Sequence, residues 1–128
     1  EIKFHNYQKK NSFGKETQAK FHDLFREAQT NEKVKVVLVH GGPFFSSGND
    51  LTAFFKAFKN PQKAIEDARF TVQVGMVRFL TALLDLEKPV VALVAGASVG
   101  IACTMLGFVD FIYTTPDAFF VTPFMQSF

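Results

Sequence analysis

The chain has no tryptophan and a single cysteine, Cys103, so no internal disulfide can staple it. One thiol fits a reducing compartment and gives no sign of secretion. Charge of one sign is missing as well: across 128 residues, 14 Lys and Arg stand against 12 Asp and Glu, and a net charge of +2 gives no electrostatic reason to expect nucleic acid or an acidic membrane. The opening residues are polar and charged, and no signal peptide is read there. Histidine is scarce, with only His5, His22 and His40, and no metal site is read. Residues 89–128 hold just two charges, Asp110 and Asp117, beside six Phe. Such a stretch cannot be solvated all round. It reads as the interior of something larger than 128 residues or as a surface that expects a partner.

What is present is apolar and aromatic. With 48% apolar and 20% charged residues the composition is that of a packed globular chain of one small domain. Phe accounts for 17 residues against 2 Tyr, so most aromatic area carries no polar handle and must be buried. Phe21, Leu24, Phe25 and Ala28 fall at helical spacing within residues 14–31. Residues 34–39 read as a buried Val-rich strand, followed by a Gly/Ser/Asn loop over residues 42–50 and a short helix over 50–58. Ile65, Ala68, Val72, Met76, Phe79 and Leu83 then mark one face of a helix of about six turns, which Pro89 ends. Val90–Val94 is a second β-branched run, followed by a second glycine loop with Gly96, Ser98 and Gly100 and a small-residue helix to about Gly107. Residues 109–113 and 118–121 are short strand candidates around the turn Thr115, Pro116, Asp117. Alternating strands and helices predict an α/β chain with parallel pairing and right-handed crossovers.

Three constellations compete for the chemistry. Residues 90–109 carry no charge, and Gly96 with Gly100 makes a GxxxG pair, so length permits a transmembrane helix. Against it stand the β-branched start, three glycines, and the lack of basic or aromatic flanks. Residues 96–100 also spell GxSxG between a strand and a helix, where a nucleophile elbow would place Ser98. That fold takes its histidine after the serine, and all three histidines here precede Ser98, so the base is missing. In the third reading the two glycine loops are backbone donors. Two parallel strands that each end in a Gly/Ser loop and a helix would bring free N–H groups together on one anion. Such a pair stabilises the enolate oxygen formed when a thioester loses an α-proton.

The residues that carry this third reading resemble the crotonase (enoyl-CoA hydratase/isomerase) superfamily over nearly the whole chain. Phe45, Ser46, Ser47, Gly48, Asn49, Asp50 and Leu51 look like its first oxyanion loop, and residues 95–101 like its second. Lys9, Lys10, Asn11 and Ser12 resemble the first CoA-contacting turn, Lys88 to Val90 the lead-in to the second loop, and residues 110–113 the strand that follows. By position, the resemblance implies an α/β crotonase-like fold of ββα units, with the backbone N–H groups of Ser47 and Ile101 forming the oxyanion hole. It implies that Gly48 and Gly100 allow close approach to the thioester, that Ser46, Ser47, Gly48, Asn49, Asp50 and Leu51 line the CoA groove, and that Lys9 or Lys10 meets a CoA phosphate. Lys10, Ser12, Phe55, Pro123 and Phe124 complete the implied substrate contacts. Phe54, Phe55, Phe58 and Phe124 are candidates for the acyl tunnel, with plain core as the alternative for each.

Departures from the family pattern narrow the reaction. Where hydratases of this superfamily carry their two catalytic Glu residues, this chain has Thr104 and Phe124. Neither moves a proton, which disfavours water addition. The Ser-Ser-Gly-Asn-Asp loop together with Thr122, Pro123 and Phe124 is similar to the peroxisomal Δ3,Δ2-enoyl-CoA isomerases, in which a single Glu lies a little beyond that segment. The resemblance therefore implies a 1,3-proton shift on a 3-enoyl-CoA, in peroxisomal or alternatively mitochondrial β-oxidation. It implies no cofactor apart from the CoA of the substrate, no membrane insertion, no nucleic acid, and a homotrimer or hexamer. The family's domain is longer than this chain, so an incomplete copy is expected. The alternatives are a non-catalytic acyl-CoA-binding or interaction module and, more remotely, the serine hydrolase built on Ser98.

Overall fold

The computed structural model describes residues 1–52, 62, 65, 66, 69 and 74–123. Helix α1, Lys15–Thr30, starts behind Gly14, whose extended backbone supplies no side-chain cap. Its buried stripe is Gln18, Phe21, Phe25 and Ala28, so the buried face begins one turn earlier than the Phe spacing predicted, with the polar Gln18, while Leu24 lies on the flank at 39% exposure. At its far end the Nζ of Lys88 donates to the carbonyls of Ala28 and Asn31, putting a cation where the helix dipole is negative. The lysine leading into the second strand thus fastens α1 to the sheet.

Six strands follow the chain: β1 Ile2–Lys3, β2 Val37–His40, β3 Val90–Val94, β4 Ala97–Val99, β5 Phe111–Thr114 and β6 Phe119–Val121. β1, β2, β3 and β5 form one sheet in that order, and β4 pairs with β6 in a second; every pairing is parallel. Helices α2, Val77–Leu84, and α3, Ile101–Met105, complete the described elements named here. The predicted α/β class with parallel strands is met, with three corrections. The strand expected at 34–39 is Val37–His40 and alternates rather than being buried throughout, with Val36 half exposed. β1 has no counterpart among the predicted elements and β4 falls within the predicted second glycine loop, because two or three residues between polar or glycine neighbours carry no periodic signal. On the helix predicted from Ile65 to Leu83, Phe79 and Leu83 are buried, whereas Ile65 is exposed; Ala68 and Val72 lie outside the described residues.

The core lies where β2 and β3 present Val37, Val39, Val90, Ala92 and Val94 to α1 and α2. Among the described residues it holds six phenylalanines: Phe4, Phe13, Phe21, Phe25, Phe45 and Phe79. Phe4 meets Phe13, Phe21 and Phe45 at ring-centroid distances of 5.1–5.3 Å, and Phe13 meets Phe21 edge-on at 4.9 Å. Such pairs each add about 0.5–1.5 kcal/mol beyond area burial. The charge-poor C-terminal stretch is not interior in the described structure: Phe111, Tyr113, Phe119 and Phe120 are 46–63% exposed. β5 and β6 each pair along one edge only. The 90–109 segment consists of β3, β4, α3 and a 3-10 turn, and among the described residues no helix is long and apolar enough to cross a membrane.

Candidate functional site

Two loops leave the carboxyl ends of the neighbouring parallel strands β2 and β3, and the chain joins them directly. The N–H of Ser46 donates to Ala97 O at 3.0 Å, and Val99 N–H donates to Ser46 O at 3.0 Å, which makes a parallel bridge between Ser46 and Ser98. The side-by-side placement expected of the two glycine loops is therefore present. Gly48 crosses the second loop with φ +82°, and a Cβ there would lie 2.4 Å from the Val99 carbonyl oxygen and 3.6 Å from the Ile101 nitrogen. Its missing side chain is required by the neighbouring loop, before any ligand is considered. Gly100, at φ +58°, differs: a Cβ would meet nothing within 4 Å.

Ile101 follows as the first residue of α3, so its N–H has no preceding turn to donate to. The Ser47 amide, the other expected donor, is not free: it donates to Lys10 O at 2.9 Å. The cause is a second set of parallel contacts, in which Phe13 N–H donates to Gly48 O at 2.7 Å and Asp50 N–H to Phe13 O at 3.1 Å. The first loop is laced to residues 10–13 as well as to the second loop.

The other predicted contacts divide. Ser46 does not line a groove: it is fully buried, and its Oγ donates to Asn11 O at 2.8 Å and accepts from Gly48 N–H at 3.0 Å. Asn49 accepts from the buried Gln18 amide at 3.2 Å. Asp50 accepts from Thr52 N–H at 2.9 Å and faces Lys9 Nζ at 3.4 Å. The Thr52 hydroxyl and N–H, and then Lys9, hold the Asp50 carboxyl below its ordinary value. Leu51 is half exposed. Lys10 is exposed, with its backbone in the left-handed region. Ser12 lines a cleft of about 370 Å³ between β1 and α1 whose walls include no residue of either glycine loop. Pro123 stands two residues past β6, whose last residue, Val121, accepts from Gly100 N–H at 2.8 Å. Phe54, Phe55, Phe58 and Phe124 lie outside the described residues. Thr104, at the place of a hydratase carboxylate, donates its hydroxyl to Gly100 O at 3.2 Å.

The serine hydrolase reading loses its geometry. Ser98 sits in the middle of β4 rather than on a turn, and its Oγ is buried with no hydrogen-bond partner among the described residues. His40 meets Glu1 instead. Asn11, which the sequence places in the first turn with no role of its own, is 2% exposed with φ +52°. The available signal was an Asn in a short polar turn, a residue type that tolerates left-handed backbone.

Parallel strands, two crossing glycine loops and a short helix springing from the second define a crotonase-type α/β fold. The chain belongs to the enoyl-CoA hydratase/isomerase family, whose model matches residues 1–127. It is 33% identical over 123 residues to human enoyl-CoA delta isomerase 2, covering 96% of this chain and 30% of that protein. It is 34% identical over 125 residues to mouse peroxisomal enoyl-CoA delta isomerase 3, covering 98% of this chain and 38% of that one. The solved structure of Pseudomonas aeruginosa OdaA superposes with a TM-score of 0.78 at 33% identity, over 97% of this chain and 47% of that chain. The chain thus spans less than half the length of each of these three relatives.

Proposed function

We propose that the full-length protein is a Δ3,Δ2-enoyl-CoA isomerase, moving the double bond of a cis- or trans-3-enoyl-CoA to trans-2-enoyl-CoA in fatty acid β-oxidation. The observation that carries the reading is the joined pair of loops, which sets the Ile101 amide beside Gly48 with open space over Gly100. The thioester oxygen accepts from Ile101 N–H and from Ser47 N–H, the latter drawn away from the Lys10 carbonyl. An enolate oxygen carries charge and is a stronger acceptor than a peptide carbonyl, so this exchange becomes favourable as the anion forms. Donors that strengthen with developing charge lower the barrier rather than merely binding substrate.

The base is a carboxylate supplied from outside these 128 residues, since Thr104 and Phe124 hold the two hydratase positions. It takes a proton from C2, the two loops hold the dienolate, and the same carboxylate returns the proton to C4. One base suffices because both carbons lie on one face of the extended enolate, and apolar surroundings raise its pKa toward neutrality. Residues 1–128 are then the N-terminal part of the crotonase domain, in a homotrimer or hexamer in the peroxisome or, alternatively, the mitochondrion. Thr104 in place of a carboxylate also favours a second reading, an acyl-CoA-binding module without turnover.

The test is incubation of the full-length protein with cis- and trans-3-enoyl-CoA and, separately, with trans-2-enoyl-CoA in water. Formation of trans-2-enoyl-CoA from the first pair, without hydration of the last, is expected. Binding without conversion would leave the binding module, and predominant hydration would make the protein a hydratase.

A further inference from the structure

We propose that Asn11 is a positioning residue for the oxyanion site, acting through Ser46 to fix both glycine loops; the inference rests on the acyl-CoA reading above and names the side chain that builds that site. Every polar atom of Asn11 is engaged. Its Nδ2, with two hydrogens, faces three carbonyls, of Gly41 at 3.0 Å, Phe44 at 3.1 Å and Phe45 at 3.1 Å. Its Oδ1 accepts from Asn6 N–H at 2.8 Å, and its own N–H donates to Asn6 O at 2.8 Å. Its carbonyl accepts from Ser46 Oγ at 2.8 Å. The same Oγ accepts from Gly48 N–H, while the Ser46 main chain pairs with Ala97 and Val99 of the second loop. An unbroken path of hydrogen bonds therefore runs from Asn11 through Ser46 to the loop that presents the Ile101 amide.

The side chain is specified by chemistry. The turn after β2 points three carbonyls inward, and buried acceptors left without donors are costly. Only an amide of this length brings two donors and an acceptor and still tolerates φ +52°. Asp lacks the donors and Leu lacks both. Without the clamp the turn reopens and carries Ser46 and Ser47 with it, and a shift of about 1 Å in a donor is enough to cost on the order of 10²-fold in rate.

The test compares Asn11→Gly with Asn11→Ala in the full-length protein, reading kcat and KM on a 3-enoyl-CoA and the carbonyl stretch of a bound trans-2-enoyl-CoA. Glycine preserves the left-handed backbone and removes only the clamp. Both variants are expected to lose about 10- to 100-fold in kcat with KM changed less than about threefold. Both should also lose the downshift of the carbonyl stretch that donation from the loops produces in the wild type. Wild-type kcat and downshift in Asn11→Gly would overturn the proposal, because backbone conformation alone would then explain the residue. Should Asn11→Gly not fold, Ser46→Ala, which deletes one link of the path, must show the same kcat loss and the same lost downshift; wild-type values there would overturn it too. A wild-type protein that neither turns over 3-enoyl-CoA nor shifts the carbonyl would overturn the acyl-CoA reading and this proposal with it.

Discussion

The two glycine loops leave neighbouring parallel strands and bridge each other, yet they are held in different ways. The first is fastened by two buried side chains and by main chain: Asn11 gathers its carbonyls and Ser46 Oγ takes the Gly48 amide, while the Lys10 backbone carbonyl takes the Ser47 amide. The second is fastened mostly by backbone, through β6 on one side and Ser46 on the other, with the Thr104 hydroxyl donating to Gly100 O and open space at Gly100 among the described residues. On the acyl-CoA reading proposed above, the difference assigns unequal parts to the two amides. The Ile101 amide opens α3, where no preceding turn offers it an acceptor, whereas the Ser47 amide has an acceptor that a ligand would have to outcompete. On that reading a weak acceptor such as a ground-state thioester gains little from the exchange and a charged enolate gains much, which is the discrimination catalysis requires.

Substitutions can break this contrast. Phe45 anchors the first loop, is fully buried and packs on Phe4 at 5.1 Å, so Phe45→Ala should cost about 3–5 kcal/mol in denaturant unfolding of the full-length protein. Gly48→Ala should cost about 2–4 kcal/mol by the same measurement, combining a positive φ with a Cβ driven into the Val99 carbonyl. At Gly100 only the conformational part applies, so Gly100→Ala should cost about 1–3 kcal/mol and less than Gly48→Ala; equal losses would erase the proposed difference between the loops. Ser98→Ala removes a buried hydroxyl that has no partner among the described residues, and a change within about 1 kcal/mol, toward greater stability, is expected with no loss of the proposed isomerase turnover.

The smallest effect concerns pH. Because the folded pKa of Asp50 is lowered, its contribution is complete above the ordinary carboxylate value of 3.8 and is lost as pH falls through the lowered folded value. The stability gap between wild type and Asp50→Asn should stay below about 1 kcal/mol at neutral pH and close on the acid side of that window.

How much of this was legible in the sequence depends on what each residue answers to. Phe21, Phe25 and Ala28 announced α1 because one face of a long helix must be apolar, and the Val runs announced β2 and β3 because β-branched residues suit a pleated strand, although only one face of each is fully buried, with Leu93 41% exposed. Ala97 to Val99 could not announce β4, since three residues between glycines have no period, and their pairing depends on distant Phe119 to Val121. The glycine loops were readable as a pair, and their contact followed. Their hydrogen bonding was not: residue type does not reveal that Lys10 O would claim the Ser47 amide, or that Ser46 would turn inward. The Phe-rich strands β5 and β6 were read as interior from composition, but burial needs a second surface, and in the described structure they pair on one edge and stand open on the other.

The central claim is that the two loops make one site for a thioester oxygen, with one donor ready and one recruited. Amide proton and nitrogen shifts of Ile101 and Ser47, followed while an acyl-CoA is titrated into the full-length protein, test it most directly. The account predicts downfield movement at both amides on one binding curve, the Ile101 amide already bonding a ground-state thioester and the Ser47 amide moving further with an enolate analogue. Saturable binding that leaves both amides unmoved would contradict it.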